Sequence, residues 1–171
     1  MKKLILILFC ILLSAGTGFS QEIGYVVGIG AAYNFYPTEG SLFGDLAVLS
    51  NMRADLHFSM LFTFADNISF GPEIDVAYFT LKEDTLGINL NMFDFSTRGI
   101  FNFQISKLAL KPYFGYSPTL WTAQSNMLME HFLEAGIRVS AVGIYVDGSF
   151  CMSMSGGDHH FKAGLGYEIR F

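Results

Sequence analysis

The sequence predicts an all-β protein: eight antiparallel strands in an up-and-down transmembrane β-barrel, after a cleaved signal peptide. Three observations predict it. Bulky apolar side chains alternate with small or polar ones, period two, in eight successive segments. The 171-residue chain is 51% hydrophobic and only 15% charged, yet past its leader no apolar run is long enough for a membrane-crossing helix. The connections between segments alternate long and short. Only helices and closed barrels satisfy their backbone groups in lipid, so an exported apolar chain without a membrane helix points to the barrel.

Composition excludes several alternatives. Soluble domains carry roughly 25% charged residues, well above this chain. Mean hydropathy of +0.40 excludes a disordered chain. Ten Lys and Arg against fifteen Asp and Glu give −5, so a nucleic-acid partner is not expected.

Residues 1–20 read as the signal peptide. Lys2 and Lys3 form a positive start, 4–13 is an apolar run, and Gly18 and Ser20 precede a cleavage point before Gln21. As helix the apolar run reaches about 15 Å, half a bilayer core, so a retained anchor is the weaker reading. Cys10 follows Phe9 inside the run, where a lipidation site would want small residues before the cysteine. The barrel domain is then 21–171. Eight basic against fifteen acidic residues give it −7, and Cys151 alone remains, so no internal disulfide forms.

The elements follow in order. Residues 23–35 place Ile23, Tyr25, Val27 and Ile29 on one face and Gly24, Gly28 and Gly30 on the other. Residues 52–64 alternate Leu56, Phe58 and Phe62 with Arg53, Asp55, His57 and Ser59. Residues 70–79 alternate Ile74 and Tyr78 with Glu73 and Asp75. Residues 93–103 alternate Phe93, Phe95 and Phe101 with Asp94 and Arg98; Leu86 to Met92 have the opposite parity, which predicts a bulge near Met92. Residues 108–119 alternate Leu110 and Phe114 with Lys111 and Tyr113, and 133–141 alternate Ile137 and Val139 with Glu134 and Arg138. Residues 144–153 alternate Val146 and Phe150 with Asp147 and Cys151, and 161–171 alternate Leu165 and Tyr167 with Lys162 and Glu168. The long connections are expected at 36–49, 82–92, 122–130 and 155–159, the tight ones at 65–67, 104–107 and 142–143. Pro72, Pro112 and Pro118 count against strands and are expected near strand ends.

Volume decides which face looks outward. The bore of an eight-stranded barrel is just wide enough for side chains to fill. Most of the eighteen Phe lie on the bulky face, whereas the other face is rich in Gly, Ala and Ser, so the aromatics face lipid. Tyr33, Phe35, Tyr78, Phe93, Phe95, Tyr116 and Phe161 fall near the loop end; Tyr25, Phe62, Phe64, Phe70, Phe103, Tyr167 and Phe171 fall near the turn end. Two aromatic girdles are the expected result.

Tyr167, Ile169 and Phe171 occupy alternate positions up to a terminal aromatic residue. This resembles the assembly signal read by the outer-membrane barrel assembly machinery. With the leader and eight segments, the whole mature chain resembles small OmpA/OmpX-like outer-membrane barrels. The resemblance implies residence in the bacterial outer membrane, contact with outer-membrane lipids and a monomer; no motif selects a functional subfamily.

The inward face carries Arg53, Arg98, Lys111, Arg138, Lys162 and Arg170 against Asp55, Glu73, Asp75, Asp94, Glu134, Asp147 and Glu168. Buried charges persist when paired, so a salt-bridged plug is expected in preference to a pore, which would show a ring of one sign. The lumen histidine His57 is expected to be satisfied. His57, Ser59 and Asp55 supply the residue types of a lipid-modifying triad, but they face the bore and adjacency does not make triad geometry, so no enzyme is expected. Asp158, His159 and His160 are ligand types, but adjacent strand residues point opposite ways, so no metal or other cofactor is expected. Cys151 reads as a small lumen filler. The loops are acidic, with Glu39, Asp45, Glu83, Asp84, Glu130 and Asp158 against Lys82. They suit a basic protein partner or weak binding of divalent cations, and repel heparin-like or nucleic-acid partners. The reading is a surface scaffold, envelope-integrity protein or adhesin; a small pore and a lipid-modifying enzyme are the alternatives.

Overall fold

A computed structural model describes residues 22–35, 52–83, 88–123, 126–156 and 159–171. The expected signal peptide, and the loop acids Glu39, Asp45, Asp84 and Asp158, lie outside the described residues. Eight strands form one closed barrel in chain order: β1 (Ile23–Phe35), β2 (Met52–Ala65), β3 (Ile68–Glu83), β4 (Ile88–Ile105), β5 (Leu108–Ala123), β6 (Asn126–Ala141), β7 (Ile144–Ser153) and β8 (His160–Arg170). Every neighbouring pair is antiparallel, and β8 closes on β1 through Ile29↔Tyr167 and Phe35↔Phe161. No edge strand is left, which removes the row of unpaired amides that lipid would penalise.

Closure carries a stagger. A path across the sheet runs Val26↔Ser59, Ser59↔Glu73, Glu73↔Arg98, Arg98↔Gly115, Gly115↔Glu134, Glu134↔Cys151 and Cys151↔His160. It returns to β1 roughly ten residues further along, the shear that goes with tilted strands. Residues distant in sequence thereby meet at one height in the bore.

The parity predicted for each strand is the parity observed. Ile29 is 66% exposed, whereas Glu73 and Glu134 are 1% and 0% exposed. The outward rings form pairs: Tyr78 with Phe93 at 5.0 Å and Phe150 with Phe161 at 5.0 Å toward the loop end, Phe70 with Phe101 at 4.6 Å toward the turn end. Inside, Val26, Leu61, Ile100 and Tyr113 make an apolar layer near the turn end. Met92, Phe132 and Cys151 are buried in the upper bore.

Three expectations need correction. No bulge occurs at Met92: β4 keeps register through Phe79↔Met92 and Met92↔Trp121, and Met92 is itself a buried inward residue. Two long connections are shorter than expected, because β3 and β4 pair out to Glu83↔Ile88 and β5 and β6 to Ala123↔Asn126. Glu83 and Glu130 therefore belong to strands. The pairs reach past the lipid belt, where period-two hydrophobicity stops being required and the pattern fades.

The prolines lie inside strands, not near their ends. Ladder pairing between β2 and β3 skips from Ser59↔Glu73 to Phe62↔Phe70 beside Pro72. Between β4 and β5 it skips from Ile100↔Tyr113 to Phe103↔Leu110 beside Pro112, and from Thr97↔Tyr116 to Asp94↔Thr119 beside Pro118. A missing N–H costs pairing toward one neighbour; Pro72, Pro112 and Pro118 keep Gly99, Ile137 and His131 on the other side.

The three tight turns each leave two residues between strands, and the one predicted at 142–143 keeps its bounds. Val142 and Gly143 both have positive φ, 52° and 85°, the requirement of a type I′ hairpin.

Candidate functional site

The bore is filled by one network of ion pairs and hydrogen bonds. Glu73 (β3) is its lower hub. Arg138 (β6) donates to both its oxygens at 2.8 and 3.2 Å, Arg98 (β4) donates at 3.1 Å and the Ser59 hydroxyl at 2.7 Å. Glu134 (β6) is the upper hub. Arg98 binds it through Nε and Nη2, both at 3.1 Å, and the Ser149 hydroxyl donates at 2.8 Å. Arg98 thus bridges carboxylates on β3 and β6, a use of the planar guanidinium that an ammonium could not reproduce.

The network spreads from the hubs. Arg53 donates to Asp94 at 2.7 Å and Asp75 at 3.1 Å; Arg98 also reaches Asp75 at 3.3 Å. Lys162 lies 3.4 Å from Asp94 and 3.6 Å from Glu134. Asp147 accepts from Arg138 Nε at 3.1 Å and from the Tyr113 hydroxyl at 2.7 Å. Lys111 pairs with Glu168. The residue types that sequence left out as site members are these hydroxyls and two rings. Arg98 stacks 4.8 Å over Tyr113, and Arg138 lies 4.9 Å over Tyr145. Their inward parity was legible, but their partners sit on other strands and were not.

Small residues make the space. A Cβ on Gly28 would sit 2.2 Å from the His57 ring, and one on Gly30 would sit 2.0 Å from the Tyr145 hydroxyl. β1 supplies no charge, so its inward face can be thin where β2 and β7 are thick.

Of the thirteen charges expected in the lumen, Arg170 is the exception. It is exposed at the turn-end mouth and makes no ion pair among the described residues. Five buried cations then face seven carboxylates. Asp55 makes no ion pair among the described residues; the Tyr145 hydroxyl donates to it at 3.0 Å. The expectation of a satisfied His57 also fails. Neither ring nitrogen hydrogen bonds, and Nε2 lies 3.8 Å from a Glu168 oxygen. Asp55, His57 and Asp75 bring potential ligand atoms within 4.8 Å of one another.

The triad residues do not form a relay. Ser59 donates to Glu73, not to His57. His159 and His160 diverge as expected: the Ser153 amide donates to His159 at 3.0 Å, while His160 is buried against Phe132 at 5.0 Å. Cys151 is buried and free. Tyr167 and Ile169 lie on the outward face of the last strand, and Phe171, directly after it, is exposed as well.

A closed eight-stranded barrel, an apolar aromatic exterior and an ionic interior define a small transmembrane β-barrel of the outer-membrane type. Solved structures agree on the fold. Over 90% of this chain and 100% of theirs, the barrel is similar to Ail of Yersinia pestis, solved in complex with the heparin analogue sucrose octasulfate, at TM-score 0.57 and 14% identity. It is similar to Neisserial surface protein A over 89% of this chain and 98% of that one, at TM-score 0.53 and 10% identity. It is also similar to the outer membrane enzyme PagL over 84% and 98%, at TM-score 0.52 and 11% identity. OmpA/OmpX-like architecture fits. No protein-family profile matches the chain, and neither does any curated protein sequence.

Proposed function

We propose that the chain is a rigid outer-membrane scaffold that presents its loops to a protein partner, as an adhesin or envelope-integrity protein, and that it neither conducts nor catalyses. One observation carries this reading: the hubs Glu73 and Glu134 tie β2, β3, β4, β6, β7 and β8 together across the bore. A bore spanned by paired charges favours rigidity over passage.

The loops supply the partner chemistry. By sequence they hold Glu39, Asp45, Asp84 and Asp158. Such a surface suits a basic protein face. It argues against the polysulfated ligand class seen with Ail, since like charges repel.

Two measurements test the proposal. In planar bilayers the purified barrel should give no steady conductance; a reproducible single-channel step would favour the pore. Pull-down from whole cells should capture a basic protein that variants lacking 37–50 lose. Capture unchanged by that deletion would refute the loop role. Lipid hydrolysis that disappears in Ser59→Ala would restore the enzyme reading.

A further inference from the structure

We propose that Asp55, His57 and Asp75 hold one divalent metal ion of the zinc class inside the bore. The register assembles the site. Asp55 and His57 are two apart on the inward face of β2, and His57 pairs directly with Asp75 across the β2–β3 ladder. One ligand atom from each lies within 4.8 Å of the other two, close enough for rotamer adjustment to close around an ion.

Two independent observations point to a cation there. First, His57 is 1% exposed and neither ring nitrogen has a hydrogen-bond partner. A buried polar group in that state is costly unless something binds it. Second, the buried charges do not balance. Asp55, Glu73, Asp75, Asp94, Glu134 and Glu168 face Arg53, Arg98, Lys111, Arg138 and Lys162, an excess of one negative charge, to which the half-buried Asp147 adds a second. Asp55 is the carboxylate with no ion pair among the described residues; a doubly charged ion removes the excess where it is concentrated.

The surrounding groups fit this reading. Arg53 and Arg98 both hold Oδ1 of Asp75, which leaves its second oxygen for the metal. Tyr145 donates to Asp55 Oδ2, which leaves Oδ1. With the metal on Nδ1, the opposite ring nitrogen of His57 faces Glu168 at 3.8 Å, the carboxylate that such a ligand uses to fix its tautomer. One imidazole and two carboxylates suit zinc and its neighbours; calcium and magnesium want six or more oxygens.

The test uses the full chain folded in detergent, stripped with chelator, then exposed to Zn²⁺ and gel-filtered. Wild type should retain one equivalent, and Co²⁺ in its place should give a visible absorption band that Zn²⁺ bleaches. Asp55→Asn and His57→Gln should each lower affinity at least tenfold while still migrating as folded barrels. A His131→Gln/His159→Gln variant should retain the metal. If His57→Gln does not fold, Asp55→Asn decides alone. Wild type without stoichiometric zinc, or Asp55→Asn that keeps it, overturns the proposal and leaves protons to balance the excess charge.

Discussion

At the scale of single residues, the bore distinguishes charges that are paired from charges that are merely present. Glu73 takes four donors from three other strands, so Glu73→Ala leaves Arg98 and Arg138 short of a counter-charge. Removing one partner of a buried pair costs about 3–5 kcal/mol. The temperature at which the folded band on unboiled gels converts to the unfolded one should fall sharply; an unchanged temperature would show that the hub is dispensable. Glycines give a sterner contrast. A Cβ on Gly71 would lie 1.7 Å from the Met60 carbonyl oxygen, whereas one on Gly148 meets nothing within 4 Å. Gly71→Ala should fail to yield the folded band, and Gly148→Ala should yield it normally. Equal yields of the two would refute the close approach of β2 and β3.

At the scale of elements, each strand presents one face to lipid and one to the network. Ile137 faces outward between the Pro112 and Gly148 partners, in the body of the sheet. Ile137→Arg should cost about 2–4 kcal/mol there, while Ile144→Arg beside the turn should cost about 0–1 kcal/mol. Urea unfolding in lipid vesicles measures both, and reversed magnitudes would displace the membrane belt. The β6–β7 hairpin offers a gain. Val142 holds a positive φ of 52° with a β-branched side chain, a conformation that costs L-residues about 1–2 kcal/mol. Val142→Asn should stabilise by about 1 kcal/mol, since Asn-Gly is the preferred type I′ pair. The element pattern was legible wherever lipid demanded it. It failed above the belt, where Glu83↔Ile88 and Ala123↔Asn126 extend two hairpins that hydrophobicity does not mark.

At the scale of the whole molecule, closure and shear turn strand-local charges into a single body. The barrel should migrate faster unboiled than boiled, as a compact fold resisting detergent does. Lipid-soluble photolabels should mark Phe58 and Ile137 and spare Arg53 and Glu134; the opposite labelling would turn the barrel inside out.

The sequence by itself determined the number of strands, their faces and the ionic character of the bore. A period of two and a limited internal volume leave no other way to place eighteen Phe and so many glycines. Only the tertiary structure decided who meets whom. Arg98 and Glu134 are thirty-six positions apart and Tyr145 and Asp55 ninety. The stagger that brings them to one height is a property of the closed sheet, not of any strand. The same stagger left Arg170 at the mouth. It also set His57 beside two carboxylates without a hydrogen bond. Parity fixes which way a side chain points; it does not fix how high along the barrel axis it stands.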